Sequence, residues 1–252
     1  MEPPLLSLPL LPSALLTLSV AAAAYLQALT GFAFGLVLLA LSVQLGVLPI
    51  SDASQLVNCL TLFGALVLLG RGQLTPHWRL LAWGLLPALP MVPVGLWLLG
   101  VMSGDAVYWL GKVLGGIIVL SSALMLWPPR LSVLAGTRWL RVSAGALSGL
   151  MGGMFATAGP PLVLLFYQLG LPAARVRDTL LLVFAGAGLL RLLVAVPTGA
   201  FNAGLLPVTL MMLPVYWLAN RLGARTVARV DTAWLRRLVA MLLLASGLAM
   251  LV

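Results

Sequence analysis

The chain has 252 residues, of which 62% are hydrophobic and 8% charged, and its formal net charge is +9. So few charged residues cannot cover a water-facing surface, which excludes an ordinary soluble globular protein; several apolar stretches reach the roughly 18 residues needed to span a bilayer core. The basic excess does not point to nucleic acid, because the arginines fall in short loops between apolar segments, where they set topology.

Residues 1–12 are a proline-rich lead-in without the basic start of a signal peptide, so no cleavage is expected. Residues 13–46 form an apolar segment broken near its middle, from Thr30-Gly31 to Gly35. Pro49 to Ser54 make a turn, with Ser51 and Asp52 placed as N-caps for a span of about 53–70. A basic loop, 71–79, leads to a span of about 80–102 that contains Pro87, Pro90 and Pro93. After the turn at 103–105 comes a span over 106–127, and the basic stretch 128–141 links the halves.

The second half repeats this order. Its broken segment is 142–170, interrupted at Thr157-Ala158-Gly159-Pro160-Pro161. A loop with Arg175, Arg177 and the cap candidate Asp178 precedes a span of about 179–196. The uncharged turn 197–204, a span of about 205–219 and the basic stretch 220–237 lead to the last span. Gln44-Leu45-Gly46 falls on Gln168-Leu169-Gly170 at a shift of 124, and Gly35 on Gly159. Asp52 matches Asp178 and Asp105 matches Asp231 at 126, while Leu85-Leu86-Pro87 matches Leu205-Leu206-Pro207 at 120. The shifts change only across loops, as an internal repeat requires.

Twelve of the fourteen basic residues lie in 71–79, 128–141, 175–177 and 221–237, which places those loops in the cytoplasm. The matching loops of the other half are not basic, so equivalent loops lie on opposite sides and the repeats are inverted. The fold expected is an all-α polytopic membrane protein of two inverted-topology repeats, each a broken re-entrant hairpin plus three transmembrane helices. Repeat 1 covers 13–127, the cytoplasmic linker 128–141, and repeat 2 covers 142–252, with both termini outside a bacterial-type cytoplasmic membrane. The 29 residues of 142–170 suit two half-helices of about 14 meeting near the midplane.

Irregular backbone at membrane depth must be buried in protein or line a wet cavity. The two breaks should therefore face each other. Thr157 can cap while Pro160 or Pro161 opens a half-helix; Thr30, Gly31 and Gly35, with Phe32 and Phe34 between the glycines, do the same less sharply. Two helix N-termini converging from opposite sides attract an anion. The competing reading is that these glycines and prolines only allow packing and kinks. Arg191 stands about five residues from the end of its span and either snorkels or contacts the anion. Lys112 and Arg237 read as interfacial anchors. Glycines outside the breaks, such as Gly100 and Gly247, should tolerate alanine.

The five acids (Glu2, Asp52, Asp105, Asp178 and Asp231) lie in loops or at span ends, so no buried carboxylate relay is expected. One cysteine, Cys59, and one histidine, His77, exclude a disulfide framework and a Cys/His metal cluster. Gly145-Ala-Leu-Ser148-Gly149 looks faintly like an intramembrane serine protease motif, but no intramembrane histidine accompanies it. No enzyme activity and no cofactor are expected. The expected partners are a small anion and membrane lipid, with a homo-oligomer left open.

The paired segments LTGFAFGLVLLAL and GLMGGMFATAGPPLVLLF, and the closing WLRRLVAMLLLASGLAML, resemble the TauE/SafE-like sulfite exporter family. The likeness covers nearly the whole chain, although the first half has only Gly31 and Gly35 and lacks the proline usual in that family. It implies a permease for sulfur-containing anions such as sulfite, sulfoacetate or thiosulfate. An anion channel and a non-transporting membrane subunit or assembly factor remain the alternatives.

Overall fold

Prolines, glycines and short polar turns cut this leucine- and alanine-rich chain into helices. The structure, a computed structural model, describes residues 10–30, 32–70, 72, 74–102, 106–126, 137–157, 160–226 and 232–251. Within them every regular element is helical. The first half holds α1 (Leu10–Thr30), α2 (Phe34–Gln44), α3 (Ile50–Gly70), α4 (Trp78–Ala88), α5 (Met91–Met102) and α6 (Val107–Leu126). The second holds α7 (Arg138–Phe155), α8 (Pro160–Tyr167), α9 (Ala173–Ala195), a 3-10 turn at Ala203–Leu205, α10 (Leu206–Thr226) and α11 (Thr232–Leu251).

Among the described residues, α1, α3, α9 and α10 with its leading turn are long and apolar enough to cross a membrane. Helices α4 and α5, bent by 42° at their junction, are together long and apolar enough for a fifth crossing if they count as one span. Pro87 inside α4 and Pro90 at the junction each withhold a backbone N–H, which is sufficient cause for the bend. Helices α6 and α11 pack along one another.

The helices flanking the second break are not the two halves of about 14 residues expected from the sequence: they have 18 and 8 residues, and those flanking the first break have 21 and 11. The long arm in each case lies along a neighbour from the other half, α1 on α10 and α7 on α4 and α5, and packing along that neighbour holds it helical. Helix α7 does so through Gly145, Gly149 and Gly153: a methyl at Gly149 would overlap the Ala88 carbonyl, and one at Gly153 the Val92 carbonyl. Small residues at such spacing let helices approach closely in a membrane. The protease-like Gly145-to-Gly149 run is thus a packing surface.

The contacts recur when the halves are exchanged. Helix α10 packs on α1 and α3, and the α4–α5 pair packs on α7 and α9; α3 meets α9, and α6 meets α11. The paired Gly46 and Gly170 both adopt left-handed backbone, with φ of 61° and 68°, just after the short arms.

Two caps fall elsewhere than expected. Helix α3 begins at Ile50 because the Pro49 carbonyl accepts from Ala53 N–H at 2.9 Å, so Ser51 and Asp52 stand in its first turn. Asp178 lies inside α9, where its carboxylate accepts from Thr75 N–H at 3.0 Å, while Thr179 Oγ1 accepts from His77 N–H at 2.9 Å. His77 in turn caps α4 by accepting from Leu80 N–H at 3.3 Å. In the other half, the α3 residues Gln55 and Asp52 hold Asn202, the residue that caps the turn before α10. Each of these spans therefore anchors the loop that leads into a helix of the opposite half.

Gly247 does not tolerate a side chain as expected: a methyl there would stand 2.9 Å from Val119 Cγ2 and 3.0 Å from the Gly115 carbonyl. Backbone-to-backbone packing of α11 on α6 leaves no room. Gly100 has nothing within 4 Å and is open.

Candidate functional site

The two breaks meet inside the bundle. A methyl placed on Gly35, in the first turn of α2, would stand 2.9 Å from Thr157 Cβ and 3.2 Å from Val57 Cγ1. Thr157 is buried, and Phe34 beside Gly35 is only 1% exposed. The phenylalanines exchange sides. Phe32 packs with Leu162, Phe166 and Val176 of α8 and α9, whereas Phe155 packs into the larger core with α1, α2 and α3. The irregular backbone is therefore sealed by side chains of the opposite half.

Each break is built differently. Helix α7 ends on Ala156, whose φ of 53° is left-handed and whose N–H donates to the Gly152 carbonyl at 3.0 Å. Helix α8 then starts at Pro160, in the first helical position expected for a proline. Thr157 does not cap α8, since it lies three residues before that start; its side chain faces Gly35 instead. Pro161 is half-buried in the first turn. In the first break Thr30 closes α1 and does not open α2, which begins at Phe34 without a side-chain cap at Ala33. The first-turn N–H groups of Phe34, Gly35 and Leu36 have no partner within the helix. Gly31, Ala158 and Gly159 lie outside the described residues, as do the side chains of Thr30 and Pro160.

Arg191 turns inward and does not snorkel. It is 3% exposed; its Nε donates to the Gly153 carbonyl at 2.8 Å and its Nη2 to Ser54 Oγ at 2.7 Å. Gly153 lies in the last turn of α7, where carbonyls lack helical partners and the helix dipole is negative. The guanidinium thus satisfies the C-terminal end of a helix that stops inside the bundle, one turn before Thr157. No ion pair to Arg191 exists among the described residues. One turn further along α3, Asn58 Nδ2 donates to the Gly188 carbonyl at 3.1 Å, extending a polar seam between α3 and α9.

Ser54, Asn58 and the Gly153 carbonyl were not singled out from the sequence. The signal available was a set of polar residues inside two apolar spans, Gln55 and Asn58 in α3 and Arg191 in α9, since such groups must find partners in the bundle. Likewise Tyr216, which meets Phe34 edge-on at 5.0 Å between centroids, comes from α10 and has no local sequence mark. Among the described residues no group of three His, Cys, Asp or Glu side chains is placed to hold a metal.

Apolar spans packed around two facing chain breaks define a multi-pass membrane protein. The chain belongs to the sulfite exporter TauE/SafE family, whose sequence model matches residues 16–250. It is similar to a probable sulfite/organosulfonate exporter TauE of Cupriavidus necator, with 30% identity over 245 residues, 96% of this chain and 94% of that protein. It also resembles a probable inner membrane transporter protein TsaS of Comamonas testosteroni, 28% identical over 176 residues, 69% of this chain and 72% of that one. No solved structure matches it. The family resemblance read from the sequence therefore holds.

Proposed function

We propose that the protein is a secondary transporter that moves a small sulfur-containing oxyanion or organosulfonate across the cytoplasmic membrane by alternating access at the two broken helices. The observation that carries this reading is the approach of Gly35 to Thr157, which brings both breaks to one place. There the N–H groups opening α2, unpaired within the helix, and the N-terminal end of α8 attract negative charge, and Arg191 adds a fixed cation one turn away. The two halves act as inverted repeats, each rocking against the other; the exchange of packing partners between halves supports this. The printed names of the relatives support the substrate class.

Purified protein in liposomes, offered sulfite, thiosulfate and short alkanesulfonates with and without a pH gradient, tests the reading. Saturable flux of one of these anions is expected. Flux that rises linearly with concentration without saturating would instead favour a channel. Orientation is tested separately: cysteines at Ser103 and Ala200 should react with an impermeant thiol reagent outside intact cells, and those at Ala135 and Ala174 should not. Labelling at Ala174 but not Ala135 from outside removes the second hairpin.

A further inference from the structure

A cavity of about 160 Å3 opens between α1, α3, α9 and α10, on the side of the basic loops and separate from the facing breaks. It is smaller than the roughly 300–1,000 Å3 of pockets for drug-sized ligands and suits a compact solute. Arg177 of α9 and Arg221 of α10 both line it, and the Arg221 guanidinium is held 5.0 Å over the Trp217 ring. Asp178 also borders the cavity, but its carboxylate is engaged by the Thr75 N–H and hydroxyl. The two arginines leave the rim cationic.

The inner wall is Tyr216. Its hydroxyl donates to Gln27 Oε1 at 3.0 Å and rests against Gly64, where a methyl would overlap it. On its other side the ring meets Phe34, the first residue of α2 at the first break. One aromatic ring thus separates the cavity from the proposed transport site. Gln27 is 8% exposed, and its side chain also lines the cavity, so its amide stands on the cavity wall. Apolar surface from Phe63, Leu181 and Trp217 completes the lining.

We propose that this cavity is a waiting site for an anion with a compact apolar body, a short alkanesulfonate being the fitting class, and that Tyr216 is the gate between it and the break. The sulfonate lies between Arg177 and Arg221 with the Gln27 amide donating to it, and its alkyl part lies on Trp217 and Leu181. The gate rests on the transporter reading; the binding site does not. Glycine at position 64 follows from this role, because any side chain there displaces the tyrosine from Gln27.

The test uses the full chain with Cys59→Ser and Ala224→Cys, Ala224 being an exposed residue of the cavity lining. Inside-out vesicles are treated with a charged maleimide in increasing methanesulfonate, and anion flux is measured in parallel. Methanesulfonate should slow labelling saturably, while choline at equal ionic strength should not. Arg177→Gln with Arg221→Gln should raise the half-protecting concentration at least about tenfold, the loss of roughly one charge-assisted hydrogen bond. Arg177→Lys with Arg221→Lys, which keeps the topology signal, should retain protection. Labelling that methanesulfonate leaves unchanged, or slows equally in the glutamine variant, overturns the waiting site. Protection without flux removes the transporter reading and keeps the site; flux without protection does the reverse.

Discussion

The two breaks do the same job with different means. The second is fixed by its backbone: a left-handed Ala156, a proline in the first helical position of α8 and an arginine holding the carbonyl end of α7. Its two prolines, however, remove two of the N–H groups that a helix N-terminus would present. The first break has no proline, no side-chain cap and no arginine, yet its first turn keeps every N–H from Phe34 to Leu36. It is held by packing, through Phe34 on Tyr216 and Phe32 in the opposite half. A rigid turn carrying charge faces a softer turn carrying donors. In the alternating-access cycle proposed above, the break held by packing alone is the one expected to move.

The sharpest way to break this comparison is at the contact itself. Gly35→Leu should reduce flux to below about a tenth, because even a methyl would press on Thr157 and Val57 and a well-packed interior resists added volume by about 1–3 kcal/mol. Gly35→Ala should be partly rescued by Thr157→Gly, which removes the atom 2.9 Å away. Measured per amount of monodisperse protein, a leucine variant with normal flux would mean that the breaks are only packing features.

Arg191 comes next. Arg191→Gln should lower flux roughly 10- to 100-fold if the lost charge was worth about 1.5–3 kcal/mol to the anion. Its effect on stability should be smaller, since removing a buried charge also removes its desolvation penalty while stranding the Gly153 carbonyl. A large fall in melting temperature with flux intact would make Arg191 only the cap of α7.

What could be read in the sequence was the existence of the breaks and their meeting, because Gly, Thr and Pro in paired apolar segments are few and each has a conformational reason to be there. The shared left-handed geometry of Gly46 and Gly170 was foreshadowed by their identical Gln-Leu-Gly setting. The arm lengths could not be read. Leucine-rich helices carry no internal stop, so α1 runs on to Thr30 because α10 lies beside it. Nor could the direction of Arg191, since snorkelling and inward capping use the same residue and differ only in which neighbour offers a carbonyl. The left-handed turn falls on Ala156 although glycines stand at 152 and 153, and Gly153 is taken up by close packing on Val92 and Gly95.

The loop anchors offer a milder comparison of the halves. Asp178 is 8% exposed and accepts a backbone N–H at 3.0 Å, whereas Asp52, its match in the repeat, receives among the described residues the Asn202 amide at 3.3 Å in an exposed setting. Asp178→Asn should therefore cost about 1–2 kcal/mol, most of a charge-assisted hydrogen bond, and Asp52→Asn less than about 0.5 kcal/mol. Thermal unfolding in detergent reads both. Equal losses would show that the two anchors are equivalent and that burial does not set their strength.

The smallest effect expected is at Ala156. A left-handed conformation costs a non-glycine residue about 1–2 kcal/mol, which Ala156→Gly removes. Against this stand up to about 0.8 kcal/mol for a methyl that is only partly buried in the core and about 0.4–1 kcal/mol for the freer unfolded chain. The sum lies within about 1 kcal/mol of zero, so the glycine variant should melt close to the parent. Ala156→Val is the contrasting case, because a β-branched residue is a true outlier at positive φ and should lose stability outright. If valine is as well tolerated as glycine, the turn is not left-handed, and the rigidity ascribed to the second break goes with it. If glycine is neutral in melting yet slows flux, the alanine methyl is what keeps the second break rigid while the first one moves.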